Sequence, residues 1–164
     1  MIVEDVEPGR TPADLTVGVA VASFNQIITD RLLAGALKSL EAAGVGKVTV
    51  LRVAGAWELP VAAAYLARTA DAVVAIGAVI KGDTDHYDVI VAESASGLTR
   101  AALDAGKPVT NAVLAAHSLA QARDRSEPGP GNKGAEAAAA AVAAALMITT
   151  GSDPSGNSGG NGSP

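Results

Sequence analysis

The stretch Ala72-Val-Val-Ala-Ile-Gly-Ala-Val-Ile80 decides the fold. No residue in it carries a charge or a hydrogen-bonding side chain, and its valines and isoleucines favour an extended backbone over a helix. A strand with one wet face alternates polar and apolar residues. This one does not, so both faces are covered, the condition of a strand inside a parallel sheet. Thr16-Val-Gly-Val-Ala-Val-Ala-Ser23 has the same character, and Val48-Thr-Val-Leu-Arg-Val53 and Val109 to Leu114 add two more strands. Between them lie segments with helical spacing. Ile27 to Ala43 carries Leu32, Leu33, Ala36, Leu37 and Leu40 and stops at Gly44; Glu58 to Thr69 has Pro60 in its first turn, where proline is tolerated. Tyr87 to Ala105 closes at Gly106, Leu119 to Arg125 is short, and Asn132 to Thr149 is rich in alanine.

Strands of the buried type alternating with helices predict a three-layer α/β/α, flavodoxin-like domain with a four-stranded parallel sheet. The first dozen residues, with Pro8 and Pro12, are expected to form an extended arm. Residues 1–150 make one domain, and the tail Gly151 to Pro164 holds too little apolar surface to fold, so disorder is expected there. No internal repeat is visible.

Composition narrows the function. A chain of 164 residues, 49% hydrophobic, builds one core. A net charge of -5 supplies no basic face for nucleic acid or anionic lipid. Cysteine is absent, which removes disulfides, thiolate metal sites and cysteine nucleophiles and fits a reducing compartment. No apolar run reaches the roughly 18 residues of a membrane helix. The acidic start MIVEDVEPGR lacks a signal-peptide pattern, so the cytoplasm is the expected location. Aromatic residues are only 2%, and Phe24 and Trp57 stand in loops, where they suit ligand platforms better than core filler.

In such a sheet, ligands bind beyond the carboxyl ends of the strands. The loops there are Ser23 to Gln26, Gly55 to Glu58, Lys81 to His86 and the stretch after Leu114, and they hold most of the unusual residues. His86 ends a polar loop in which Gly82 allows close backbone approach and Thr84 offers a hydroxyl. Imidazole gives and takes protons near neutral pH, and Asp88 is close enough in sequence to orient it. A surface histidine capping a helix would look the same. Arg125 and Lys133 flank the turn Ser126-Glu-Pro-Gly-Pro-Gly-Asn132, where a guanidinium fork suits a phosphate and a pair of solvated cations is the plain alternative. His117 has no supporting partners and reads as structural. The glycines match neither a dinucleotide fingerprint nor a Walker loop, no serine elbow is present, and no residues have metal-ligand spacing.

Taken in order, five segments resemble the lumazine synthase family: Phe24-Asn-Gln-Ile-Ile-Thr29, Gly55-Ala-Trp-Glu-Leu-Pro60, Gly77-Ala-Val-Ile-Lys-Gly-Asp-Thr-Asp-His-Tyr-Asp-Val89, Gln121-Ala-Arg-Asp-Arg125 and Asn132-Lys-Gly-Ala-Glu-Ala137. The resemblance implies condensation of 5-amino-6-(D-ribitylamino)uracil with 3,4-dihydroxy-2-butanone 4-phosphate, without metal or cofactor. It implies that Phe24 stacks on the pyrimidine and that Ala56, Trp57 and Glu58 line the ribityl chain. Ala78, Val79 and Ile80 would offer backbone groups to the ring edge, Asp83 and Thr84 loop amides to the sugar phosphate, and Arg125 a phosphate partner. His86 would shuttle protons. Asn111, Arg125 and Lys133 would reach the site of an adjacent subunit, so a homo-oligomer is required.

In the family that oligomer is a pentamer; in some members twelve pentamers close into a sixty-subunit icosahedral shell, while others stop at pentamers or decamers. Shell formers keep the turn between the positions of Arg125 and Lys133 short, as it is here, so a shell is the expectation. Riboflavin synthase is a partner that the resemblance implies. The chain departs from the family at Lys81, usually arginine, and at Asn111, Ala112, Ala115 and Ala120, which cluster on the wall lent to the neighbour. They motivate an alternative: a non-catalytic or substrate-shifted paralogue that forms a shell or binds flavin-like ligands.

Overall fold

A computed structural model describes residues 1–3 and 8–148. The tail expected to be disordered and Thr149, the last residue of the expected final helix, lie outside that range. Four strands, β1 (Thr16–Ala22), β2 (Lys47–Val53), β3 (Ala72–Ile80) and β4 (Val109–Ala116), form an all-parallel sheet in the order β2-β1-β3-β4. The helices are α1 (Gln26–Ala42), α2 (Leu59–Ala67), α3 (His86–Ala105), α4 (Leu119–Ser126) and α5 (Lys133–Ile148).

Side chains alternate across a strand, and the alternation sorts the core into two layers. Val17, Val19 and Val21 of β1, with Val74 and Ile76 of β3, pack against α1, α4 and α5. Ala20 and Ala22, with Val73 and Ala75, pack against α2 and α3. This is the three-layer α/β/α arrangement expected of the sequence. The central strands β1 and β3 are buried on both faces, but β2 is an edge strand: Lys47, Thr49, Val50 and Arg52 are exposed. Its apolar residues suggested a more buried strand. Only its place at the sheet edge explains the charged residues between them.

Two elements differ in length from the pattern. β4 runs to Ala116 because its last two residues pair with Val79 and Ile80 of β3. α2 stops at Ala67 because the Lys107 ammonium donates to the carbonyls of Ala67 and Ala70, both at 2.8 Å, and takes the place of a further turn. At the start of the chain, Pro12–Asp14 form a single 3-10 turn before β1. Arg10 pairs there with Asp71 at 2.8 Å, and the same carboxylate accepts the Thr16 amide at 2.8 Å. Burial pushes the Asp71 carboxyl up, but the hydrogen bonds from Arg10 and Thr16, with the nearby Arg10 and Lys107 charges, hold it below its ordinary value. A depressed carboxylate stabilises the fold above its unfolded pKa and ceases to do so as pH falls through its folded one.

The α1–α5 contact fixes the rest. α5 lies so close to α1 that a Cβ at Gly134 would collide with the Leu32 carbonyl oxygen, and one at Gly35 would collide with the Asn132 side chain. Asn132 is buried, and its Oδ1 accepts the Ala135 amide at 3.0 Å, which caps α5. Its Nδ2 donates to the Ser126 carbonyl at 2.8 Å and the Glu127 carbonyl at 3.2 Å, which pins the proline-glycine turn against the body. Asn132→Ala removes the cap and strands two carbonyls, and should cost roughly 2–4 kcal/mol in denaturant unfolding. A loss below roughly 0.5 kcal/mol, the scatter of ordinary surface changes, would mean the turn is held by other contacts.

Candidate active site

The strand order places β1 between β2 and β3, so the connections leaving β1 and β3 diverge, and a crevice opens at that switch point. A cleft of 630 Å³ occupies it. Its floor follows from the ladder. β1 pairs with β3 only as far as Val21 and Ile76, whereas β3 continues to Ile80, paired with β4 alone. Peptide groups alternate sides along a strand. The Lys81 amide, directed at the Ala116 carbonyl of β4 at 2.9 Å, sets that alternation. The N–H and C=O of Ile80 therefore face the side that β1 has vacated. A donor and an acceptor lie side by side at the cleft floor, as the edge of a pyrimidinedione requires.

Two aromatic rings flank this floor. Phe24 is 69% exposed and Trp57 54%, so neither fills the core. Gly55 admits the phenyl ring: a Cβ there would lie 2.9 Å from Phe24 Cδ2. Ala56–Glu58 form a 3-10 turn, and Glu58 Oε2 closes it by accepting the Gly55 amide at 2.8 Å. Among the described residues Oε1 has no partner, so it can accept from a hydroxyl. Val79 and Ala78 complete the floor. His86, the first residue of α3, is exposed and lines the same cleft. Val89 and Ile90 add an apolar wall that motif spacing did not single out, although helical periodicity puts them one turn beyond His86.

Asp83 and Thr84 lie in the exposed loop before α3, next to its N-terminus, where free amides and the helix dipole favour an anion. Asp88 makes no hydrogen bond to His86 among the described residues, so the orienting role suggested by its spacing is not realised. His117 behaves as a structural residue: it meets the Tyr87 ring edge-on at 6.2 Å, and its amide donates to Gln121 Oε1 at 2.9 Å. Lys81 sits 5.6 Å from the centre of the same Tyr87 ring, a contact open to arginine as well.

Asn111, Arg125 and Lys133 are elsewhere. They line a second cleft of 970 Å³ along the outer edge of β4, beneath α4 and α5. The two clefts share no lining residue. Asn111 Oδ1 accepts the Val113 amide at 2.8 Å, Lys133 pairs with Glu136 at 2.5 Å, and Arg125 is exposed with no ion-pair partner among the described residues. One chain thus holds a ring-and-hydroxyl pocket with a histidine in one place and a cationic pocket in another. Among the described residues no helix is long and apolar enough to cross a membrane, and no group of His, Asp and Glu is arranged to hold a metal.

Fold and cleft together define the class: a flavodoxin-like α/β protein with a small-molecule site at its topological switch point. The family model described as 6,7-dimethyl-8-ribityllumazine synthase matches residues 14–149. A 6,7-dimethyl-8-ribityllumazine synthase of Mycolicibacterium gilvum is 45% identical over 150 residues, covering 90% of this chain and 94% of that protein. The enzymes of that name from Thermobifida fusca and Mycobacterium leprae are each 45% identical, over 82% and 86% of this chain and 80% and 89% of theirs. The chain belongs to the 6,7-dimethyl-8-ribityllumazine synthase family.

Proposed function

We propose that the chain condenses 5-amino-6-(D-ribitylamino)uracil with 3,4-dihydroxy-2-butanone 4-phosphate to 6,7-dimethyl-8-ribityllumazine, the step of riboflavin biosynthesis that its relatives' name describes. The observation that carries the reading is the first cleft: an exposed phenyl ring, a backbone donor–acceptor pair at Ile80, a free Glu58 oxygen and His86 suit a ribitylated pyrimidine. Phe24 stacks on the ring, Ile80 pairs with its edge, and Glu58 accepts from the ribityl hydroxyls. The pyrimidine amino group attacks the ketone and water leaves to give an imine. Inorganic phosphate is then eliminated, and the ribitylamino nitrogen closes the ring with loss of a second water. Each step moves a proton, which His86 takes and returns. Holding two substrates together supplies much of the remaining acceleration.

The cations that suit the sugar phosphate sit in the other cleft, so the reading requires a neighbour. Joining the first cleft of one subunit to the second cleft of the next is a head-to-tail contact, and such contacts form a ring where the rotation between subunits closes. Exposed Val61 and Tyr65 on α2 and Leu103 on α3 form apolar surface of the kind that a second copy covers. The family resemblance supports a pentameric ring and, with the short turn before Lys133, favours a shell. The retention of Glu58, His86, Arg125 and Lys133 at the two clefts favours turnover over a non-catalytic paralogue. Cysteine-free composition fits work in the cytoplasm, with riboflavin synthase consuming the product.

The test is to supply purified protein with both substrates, follow lumazine fluorescence, and measure mass by light scattering. Product formation by a ring or shell is the expected result. No product would overturn the assignment, and full activity from a dilute monomer would overturn the shared site.

A further inference from the structure

The end of β1 raises a question that the family motif leaves open. Continuing the register of Val21 with Ile76 by two residues would set the Phe24 amide on the Ala78 carbonyl. The chain does otherwise. The Ser23 amide donates to the Val53 carbonyl at 2.8 Å and the Phe24 amide to the Ala54 carbonyl at 3.0 Å, so β1 turns toward β2 and the cleft opens on the β3 side. That leaves the buried Ala78 carbonyl without a ladder partner.

The Asn25 side chain fills the vacancy, its Nδ2 donating to the Ala78 oxygen at 2.8 Å. A carbonyl only accepts, so the amide nitrogen must face it. Asn25 adopts φ 56° and ψ 45°, the one non-glycine residue with positive φ among those described. Asparagine is among the few side chains that tolerate this conformation. The Asn25 carbonyl meanwhile accepts the amides of Ile28 and Thr29 at 2.8 and 3.1 Å. One residue therefore starts α1 with its backbone and closes the root of the cleft with its side chain.

We propose that Asn25 is a positioning residue for the pyrimidine substrate: its amide holds the free end of β3 so that the Ile80 donor–acceptor pair meets the ring beneath Phe24. It also occupies the Ala78 oxygen, which would otherwise offer the ring a competing acceptor. The inference rests on the reading of the first cleft given above. It predicts an effect on the pyrimidine and little on the sugar phosphate, whose cationic grip lies in the other cleft.

Three variants separate the hydrogen bond from the backbone conformation. Asn25→Gly keeps the left-handed turn and removes the bond, and should raise KM for the pyrimidine roughly three- to tenfold. Asn25→Ala should raise that KM similarly and lower Tm further, because alanine is strained at positive φ. Asn25→Asp sets a carboxylate against the Ala78 oxygen and should raise KM by more than roughly tenfold at neutral pH. KM for the sugar phosphate should stay within roughly twofold of wild type, since neutral hydrogen bonds elsewhere are untouched. An unchanged pyrimidine KM in Asn25→Gly, or equal rises for both substrates, would overturn the proposal while wild-type turnover leaves the enzyme assignment standing. A wild type that makes no lumazine would overturn both.

Discussion

A His86→Ala variant is expected to lose roughly 10²–10⁴-fold in kcat, the usual cost of removing an acid–base group. The expectation follows from position. His86 is the one histidine lining the first cleft, at the start of α3, and it shares that cleft with Glu58 and with Ala78, Val79 and Ile80 of β3. The reaction forms an imine, expels phosphate and closes a ring, and each step needs a proton delivered or removed. Imidazole suits both giving and taking a proton, and His86 carries the one imidazole among the residues that line that cleft. The imidazole is exposed and makes no hydrogen bond among the described residues, so its loss should leave folding and assembly as they are. Steady-state rates corrected for the uncatalysed condensation decide the matter, with light scattering as the control for assembly. Unchanged kcat in an assembled His86→Ala protein would remove this histidine from the mechanism.

Arg125→Ala is expected to act on one substrate. It should raise KM for the sugar phosphate roughly 10- to 100-fold, the range for losing charge-assisted hydrogen bonds, and leave the pyrimidine KM nearly untouched. Arg125→Lys should recover only part of the loss, since a point charge lacks the paired donors of a guanidinium. Equal effects on both substrates would contradict a phosphate role. The same variant tests the geometry of the site. Arg125 and His86 line clefts with no residue in common, and the proposed site joins them across two chains. Co-assembling His86→Ala with Arg125→Ala chains should therefore restore activity, with roughly a quarter of sites intact in a randomly mixed ring. A mixture no more active than its parts would mean that each chain uses its own pair.

The fold was legible because its signals are local. Ala72 to Ile80 declares a strand covered on both faces without reference to any other segment. Gly44 and Gly106 mark the ends of α1 and α3, and both adopt the positive φ, 77° and 60°, that glycine allows. Phe24 and Trp57 stood out as aromatic residues in loops of a chain nearly without them, and both line the first cleft. His86 was singled out by chemistry, and Arg125 by its place beside a glycine-rich turn.

What spacing could not supply was distance. The bond from Asn25 to Ala78 joins residues 53 apart in the chain and exists only because β1 turns away from β3. The exposure of β2 depends on its place at the edge of the sheet. Asp88, two positions from His86, looked able to orient it, yet the first turn of α3 carries the two side chains apart. The sequence by itself determined the element order, the layer class and the residue types available for chemistry, because hydrophobic periodicity, glycine conformation and side-chain type are properties of short segments. Only the tertiary structure decided which of those residues share a cleft. Strand order and register set who meets whom, and here they placed the histidine and the phosphate-type cations on opposite sides of β3 and β4.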